Sequence, residues 1–203
     1  MSIKKATITD LESIAQCHVL SFPNTLGGKL GIEFMMNALK PFVIDSNKYL
    51  LFADAAGICA GYVNANMRDG TPGSVSTMIQ SGLKSGINIV LFKKPWLLFH
   101  PEIFSKYKVI AKNILSKKAP ARQVVDDVPT IGLPGMCVHP KFRGKGLAKE
   151  LMLAAENEAI HLGYKKLRCT VAVANPVAWK NHEKIGFKIV EEIKGNYKME
   201  KYI

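Results

Sequence analysis

Between Thr130 and His161 the chain has few backbone paths open to it. Residues 130–138, Thr-Ile-Gly-Leu-Pro-Gly-Met-Cys-Val, predict a strand, but Gly132, Pro134 and Gly135 interrupt it, which calls for a bulge or an opened edge. His139-Pro140-Lys141-Phe142-Arg143-Gly144-Lys145-Gly146 follows. A helical pattern then runs over about 146–161, with Leu147, Leu151, Ala154, Ala155 and Leu162 on one face and Gly163 as its stop. Strand, glycine turn and helix in that order make an anion cradle. Successive backbone N–H groups converge at the turn, and the positive end of the helix dipole lies behind them. Glycine lets a phosphate approach the backbone, and Lys141, Arg143 and Lys145 add charge. The turn is not the GxxxxGK(S/T) loop of nucleoside triphosphatases. Nor is it a dinucleotide fingerprint, whose third glycine position here holds Lys149.

Elsewhere, short strands and helices alternate. Residues 3–8 predict a strand, and Thr9 to Glu12 has capping-box spacing ahead of Leu11, Ile14, Ala15 and His18 at helical intervals. Phe22-Pro23-Asn24 ends that helix. A second is expected over about 31–39 with Ile32, Met35, Met36 and Leu39 inward. Residues 49–53 and 58–63, joined by Asp54-Ala55-Ala56-Gly57, predict an antiparallel hairpin. Regular signals weaken from Arg68 to Gly86. Pro101 opens a pattern with Ile103, Phe104, Tyr107, Ile110, Ala111 and Ile114 on one face and lysines elsewhere, a basic amphipathic helix. An extended linker over 119–129 leads into the glycine-interrupted strand. After the long helix, a strand is expected over 166–173. Asn175-Pro176 then supplies a cap and a first-turn proline for a helix through Ala178, Trp179, His182 and Ile185. Two strands, over 187–190 and 197–202, complete the pattern.

Charge is concentrated in one place. The 203 residues carry 28 Lys and Arg against 16 Asp and Glu, a net charge of +12. Residues 84–122 hold nine of those cations and a single acid, Glu102, so +8 belongs to this segment and +4 to everything else. Apolar residues at 48% and charged residues at 22% describe a folded protein and exclude wholesale disorder or a collagen-like repeat. No apolar run approaches the roughly 18 residues needed to cross a bilayer. The first ten residues lack the apolar core of a secretion signal, so the expected location is cytoplasmic. Cys17, Cys59, Cys137 and Cys169 are widely spaced, with no CxxC and no Cys/His cluster, which predicts reduced, mostly buried thiols and no metal site.

With these residues in view, the sequence resembles the GNAT superfamily of N-acetyltransferases. Met136-Cys137-Val138-His139-Pro140 fits that superfamily's strand end, and Lys141-Phe142-Arg143-Gly144-Lys145-Gly146 fits its Q/R-x-x-G-x-G/A loop, with Lys141 in the first place. Asn175, Ala178, Gly186 and Phe187 fall on the marked positions of its NxxAxxxYxxxGF pattern, with His182 in place of the tyrosine. The likeness is strong over 130–190 and compatible in element order over the first 67 residues. It leaves 68–128 as an insertion before the fourth strand of a single domain spanning 1–203. The implied fold is a mixed α/β one: a central, mostly antiparallel sheet splayed between strands 4 and 5, flanked by helices, with a helical insertion.

The resemblance also implies acetyl-CoA as cosubstrate and a primary amine as acceptor. The pyrophosphate would lie on the amides of Arg143, Gly144, Lys145, Gly146, Leu147 and Ala148, beside Lys141. The pantetheine would add to the edge Met136-Cys137-Val138 as an extra strand, with Asn175 and His182 close by. His182 is the candidate general acid for the departing thiolate, with filling of the helix face or contact with CoA as the alternative. The predicted fourth strand has no carboxylate, so Asp127, next to Asp126 just before it, is the candidate base. Cys137 is not expected to act covalently, because the superfamily transfers acetyl directly. The basic insertion suggests an acidic or phosphate-bearing acceptor, such as a nucleotide-linked amino sugar, and a lid or a homodimer contact for itself. A different class, a nucleic-acid or membrane-surface binding module, would use the lysines of 84–122 interleaved with Phe92, Trp96, Phe99, Phe104 and Tyr107.

Overall fold

The computed structural model describes residues 1–67, 85–99 and 126–203. Strand β1 (Ser2–Lys5) pairs antiparallel with β2 (Lys48–Ala55), and β2 with β3 (Ile58–Asn66). The hairpin between β2 and β3 turns through Ala56 and Gly57, both at positive φ, and the Gly57 N–H donates to the Asp54 carboxylate at 2.8 Å. Three helices, α1 (Leu11–Ser21), α2 (Leu26–Leu30) and α3 (Ile32–Leu39), and one further turn, α4 (Pro41–Ile44), connect β1 to β2. The expected capping box at Thr9 and Glu12 forms two residues earlier. The Asp10 carboxylate accepts from the Thr7 N–H at 2.8 Å and from the Thr7 hydroxyl, because β1 ends at Lys5 and the chain turns at once. The helix expected over about 31–39 is α3; Gly31, at φ +92, separates it from α2, and Pro41 opens α4 after it. Ile32, expected inward, is 37% exposed, and Leu30, Ala38 and Phe42 are buried instead.

The remaining strands are β4 (Thr130–Val138), β5 (Lys166–Ala172), β6 (Lys188–Ile193) and β7 (Asn196–Tyr202). They extend the sheet to seven strands in the order β1-β2-β3-β4-β5-β7-β6. Only β4 and β5 run parallel, and they pair only from Thr130 opposite Lys166 to Leu133 opposite Cys169. Beyond that point they part. The cause is legible in the chain: Pro134 has no N–H to continue a ladder. On the other side of β4, Asn64 faces Gly135 and Asn66 faces Gly132, so β4 carries an extra residue there, the expected bulge.

Helix α5 (Leu147–His161) follows β4, and α6 (Pro176–Lys184) follows β5. The sheet has a core on each face. Tyr49, Leu51, Ala53, Ala60 and Val63 face α5, which buries Leu147, Leu151, Met152, Ala155 and Ala159. Leu50, Phe52, Cys59, Tyr62 and Cys137 face α1 and α3. The alternation along β2 is the period-2 pattern of a strand covered on both sides. Leu162, expected on the inner stripe of α5, is 41% exposed because the helix has already ended at His161.

All four cysteines are free and buried. Within 85–99, Ile89, Val90 and Leu97 pack on Leu30, and Lys93 pairs with Glu33 at 2.8 Å. The expected helix from Pro101 and most of the linker over 119–129 lie outside the described residues. Among the described residues no helix is long and apolar enough to cross a membrane.

Candidate functional site

Where β4 leaves β5, two clefts open on the same region of the molecule. The first, about 430 Å³, lies between the end of β4, the turn into α5 and the face of α6. Met136, Val138, Arg143, Gly144, Gly146, Leu147, Ala148 and His182, all named by the sequence as candidate cofactor contacts, are among the residues that line it. Gly144 and Gly146 take φ +75 and +80, and a Cβ on either would meet nothing within 4 Å. Glycine is needed there for backbone conformation and leaves the amides uncovered. Gly146 is the N-cap of α5 with no side-chain cap, so the first amides of the helix point out of it into the cleft region. These residues fit a pyrophosphate: a left-handed glycine turn, a fifteen-residue helix behind it, and open space over both glycines.

Other predicted residues are placed differently. Arg143 lines the cleft, but its guanidinium donates to the carbonyls of Val138 at 3.2 Å and Ser21 at 3.1 Å, tying the turn to α1. Lys141 and Lys145 flank the turn, with the Lys145 ammonium 5.8 Å from the centre of the Phe142 ring. Cys137 points to the opposite face of the sheet, where its Sγ lies 3.7 Å from that of Cys17, so any part it plays along this edge is through its backbone. Asn175 caps α6, accepting from the Ala178 N–H at 3.2 Å, and lines the second cleft rather than the first.

The second cleft, about 470 Å³, lies between α1–α3 and the β5–α6 connection. Its walls include Phe22, Leu26, Phe34, Met35 and Leu133, with His18 and Tyr62 among them. Met136, Met152 and His182 line both clefts. His182 is 7% exposed. Its Nδ1 lies 2.8 Å from the Ala178 carbonyl, and its ring edge meets Phe187. A carbonyl only accepts, so Nδ1 carries the proton and Nε2 of the neutral ring presents a lone pair.

The sequence gives no functional cue for His18 or Tyr62. His18 Nδ1 and the Tyr62 hydroxyl are 2.6 Å apart, and His18 Nε2 faces Gly27. Burial pulls the His18 imidazole down to about 4 and pushes the Tyr62 phenol well above its ordinary value, so both are neutral at physiological pH. The available signal was a lone polar side chain on the inward face of α1 and another on that of β3.

Asp127 is not brought to these residues. It lies ahead of β4, whose first residue, Thr130, is already about 26 Å along the strand from Val138. There it pairs with Lys166 at 2.8 Å and accepts from the Tyr202 hydroxyl. The Lys166 hydrogen bond holds its carboxyl below the usual range. Asp126 forms a bidentate pair with Arg168, which also binds Glu200 at 2.7 Å. These carboxylates compensate buried cations at the far end of the strand, which corrects the expectation of a base at Asp127.

A sheet parted after its fourth strand, with a glycine turn opening the next helix at the parting, defines a GNAT fold. Residues 108–187 match the model of the Acetyltransferase (GNAT) family. It is 29% identical over 68 residues to the aminoglycoside N(6')-acetyltransferase type 1 of Salmonella typhimurium, covering 34% of this chain. The chain thus spans about half, 47%, of the length of the curated relative it matches. Among solved structures it is similar to the PaiA N-acetyltransferase of Thermoplasma acidophilum in complex with coenzyme A. That likeness has a TM-score of 0.59 at 16% identity and covers 100% of both chains. It is also similar to AAC(6')-Iy in complex with the bisubstrate analogue CoA-S-monomethyl-acetylneamine, with a TM-score of 0.59 at 16% identity, covering 95% of this chain and 93% of that one. At these identities the structural likeness is one of fold.

Proposed function

We propose that this protein is an acyltransferase, an acetyl-CoA-dependent N-acetyltransferase that acts on a small-molecule primary amine. The observation that carries this reading is the meeting of two clefts at Met136, Met152 and His182: one has a phosphate cradle at its mouth, and the other is large enough for a small acceptor. The cosubstrate supplies an activated acetyl thioester. The amides of 143–148 hold its pyrophosphate, and the β4 edge past Leu133 receives its pantetheine through main-chain hydrogen bonds. The chain's own part is then to orient the amine and move protons. His182, with Nδ1 fixed by Ala178, offers Nε2 at the junction; once protonated, Nε2–H is the acid for the departing thiolate. The reaction joins the amine nitrogen to the acetyl carbon and breaks the carbon–sulfur bond, releasing a free thiol. We read residues 68–128 as an insertion within a single domain spanning 1–203.

The curated relatives act on aminoglycosides by name, and a small amine acceptor is the common ground with them. The basic character of 84–122 favours an acidic acceptor here, such as a nucleotide-linked amino sugar. The test is direct. Acetyl-CoA is expected to raise the melting temperature, and UDP- or dTDP-linked amino sugars to release free thiol from it. Stabilisation by oligonucleotides or anionic vesicles, with none by acetyl-CoA, would instead make this a binding module.

A further inference from the structure

We propose that the second cleft selects acceptors in which the reacting amine is the only cationic group, and turns away polycations; this rests on the N-acetyltransferase reading. No carboxylate lines that cleft among the described residues. On the neighbouring helices, Glu33 pairs with Lys93 and Glu156 with Lys201, and Asp126 and Glu200 are engaged by Arg168 at the far end of β5. By sequence, residues 68–84 and 100–125 contain only Asp69 and Glu102 as acids, against eight Lys and Arg.

An ammonium group moved from water into such a cleft loses its hydration and gains no counter-charge. The reacting nitrogen escapes this penalty. It must shed a proton to attack, and His182 lines the cleft with Nδ1 engaged by the Ala178 carbonyl, which leaves Nε2 as the ring nitrogen to receive that proton. A second or third ammonium on the same molecule has no such exit. It would sit against Phe22, Leu26, Phe34, Met35 and Leu133, inside a protein of net charge +12. An uncharged or anionic body suits these walls and this field.

The test compares acceptors matched in shape. With the protein saturated in CoA, titration calorimetry is expected to give a dissociation constant for hexylamine at least tenfold below that for 1,6-diaminohexane, and no binding of neamine. Thr25 is exposed at the rim of the cleft and caps α2 by accepting from the Gly28 N–H. Thr25→Asp keeps that acceptor and adds a carboxylate, so it is expected to narrow the monoamine-to-diamine ratio by about tenfold. The proposal is overturned if the diamine or neamine binds the parent protein as tightly as hexylamine, or if hexylamine does not bind. Failure of CoA itself to bind is a separate result, and it would remove the N-acetyltransferase reading along with the proposal.

Discussion

His182 stands where two clefts meet, and its chemistry follows from one hydrogen bond. Because Ala178 accepts from Nδ1, exchange of Nε2 between lone pair and N–H needs no rearrangement of the ring. His182→Ala is expected to lower kcat by roughly 100-fold or more, the usual contribution of a positioned acid or base. The KM for acetyl-CoA should change far less, and steady-state kinetics with free-thiol detection separates the two. A kcat near that of the parent would leave the imidazole a packing role. Glycine 28 matters for a different reason. A Cβ there would lie 2.0 Å from the Phe22 carbonyl oxygen, so backbone must move. Gly28→Ala is expected to destabilise the protein by about 2 kcal/mol and to distort the second cleft, the first effect read as a lower urea midpoint.

Among the elements, α6 carries a side chain for each cleft on a short, exposed helix. Its N-cap is therefore worth testing apart from the face that carries His182. Asn175→Ala removes the bond to the Ala178 N–H and is expected to cost about 1 kcal/mol, a fall in melting temperature of roughly 2–4 °C for a chain of this size.

How well each element shows in the sequence depends on how strongly its ends are marked. Strand β4, its turn and α5 are legible because Pro134, Gly144, Gly146 and Gly163 each force a local conformation. The α6 cap is legible because Asn175-Pro176 has a single common use. Helices α2 and α4 are not: at five and four residues they are shorter than the two turns that periodicity needs. The Thr9–Glu12 spacing misled because Thr7–Asp10, two residues upstream, satisfies the same donors from a strand that ends sooner than expected. The glycine turn that lines the first cleft is readable from its spacing. The His18–Tyr62 pair is not, since 44 residues separate its members and only the sheet brings them together.

At the scale of the whole molecule, the heads of β4, β5 and β7 are held by an ion-pair group. Asp126, Lys166, Arg168 and Glu200 are all largely buried, and Asp127 adds to them from the surface. Partial burial alone would raise the Asp126 carboxyl, but Arg168 and Lys166 outweigh it and hold the group below its ordinary value. On the opposite edge the Lys48 hydrogen bond holds Asp45 at about 2. Carboxylates with lowered values stabilise the fold above their unfolded pKa and lose that contribution as pH falls through the folded one. His18, held at about 4 by burial, adds a loss that starts as pH falls below its unfolded value of 6.5, so the melting temperature is expected to stay level from pH 8 to about 7, to decline gently below about pH 6.5 and to decline further between about pH 4 and pH 2. Asp126→Asn leaves the buried Arg168 short of a partner and is expected to cost about 3 kcal/mol at neutral pH, while flattening the acid decline.

The parting of β4 from β5 has a mechanical side as well. Among the described residues, four residue pairs, Thr130 to Leu133 against Lys166 to Cys169, form the strand-ladder seam between a four-stranded panel and a three-stranded one. A molecule that lies in the gap and bonds along β4 is then also a staple across that seam. Its affinity adds to the cohesion of the fold, by about 2.7 kcal/mol at a hundred times its dissociation constant. The gain should concentrate at the join: amide hydrogens of β4 and β5 are expected to slow their exchange when acetyl-CoA is added, while those of β1 and β2 keep their former rates.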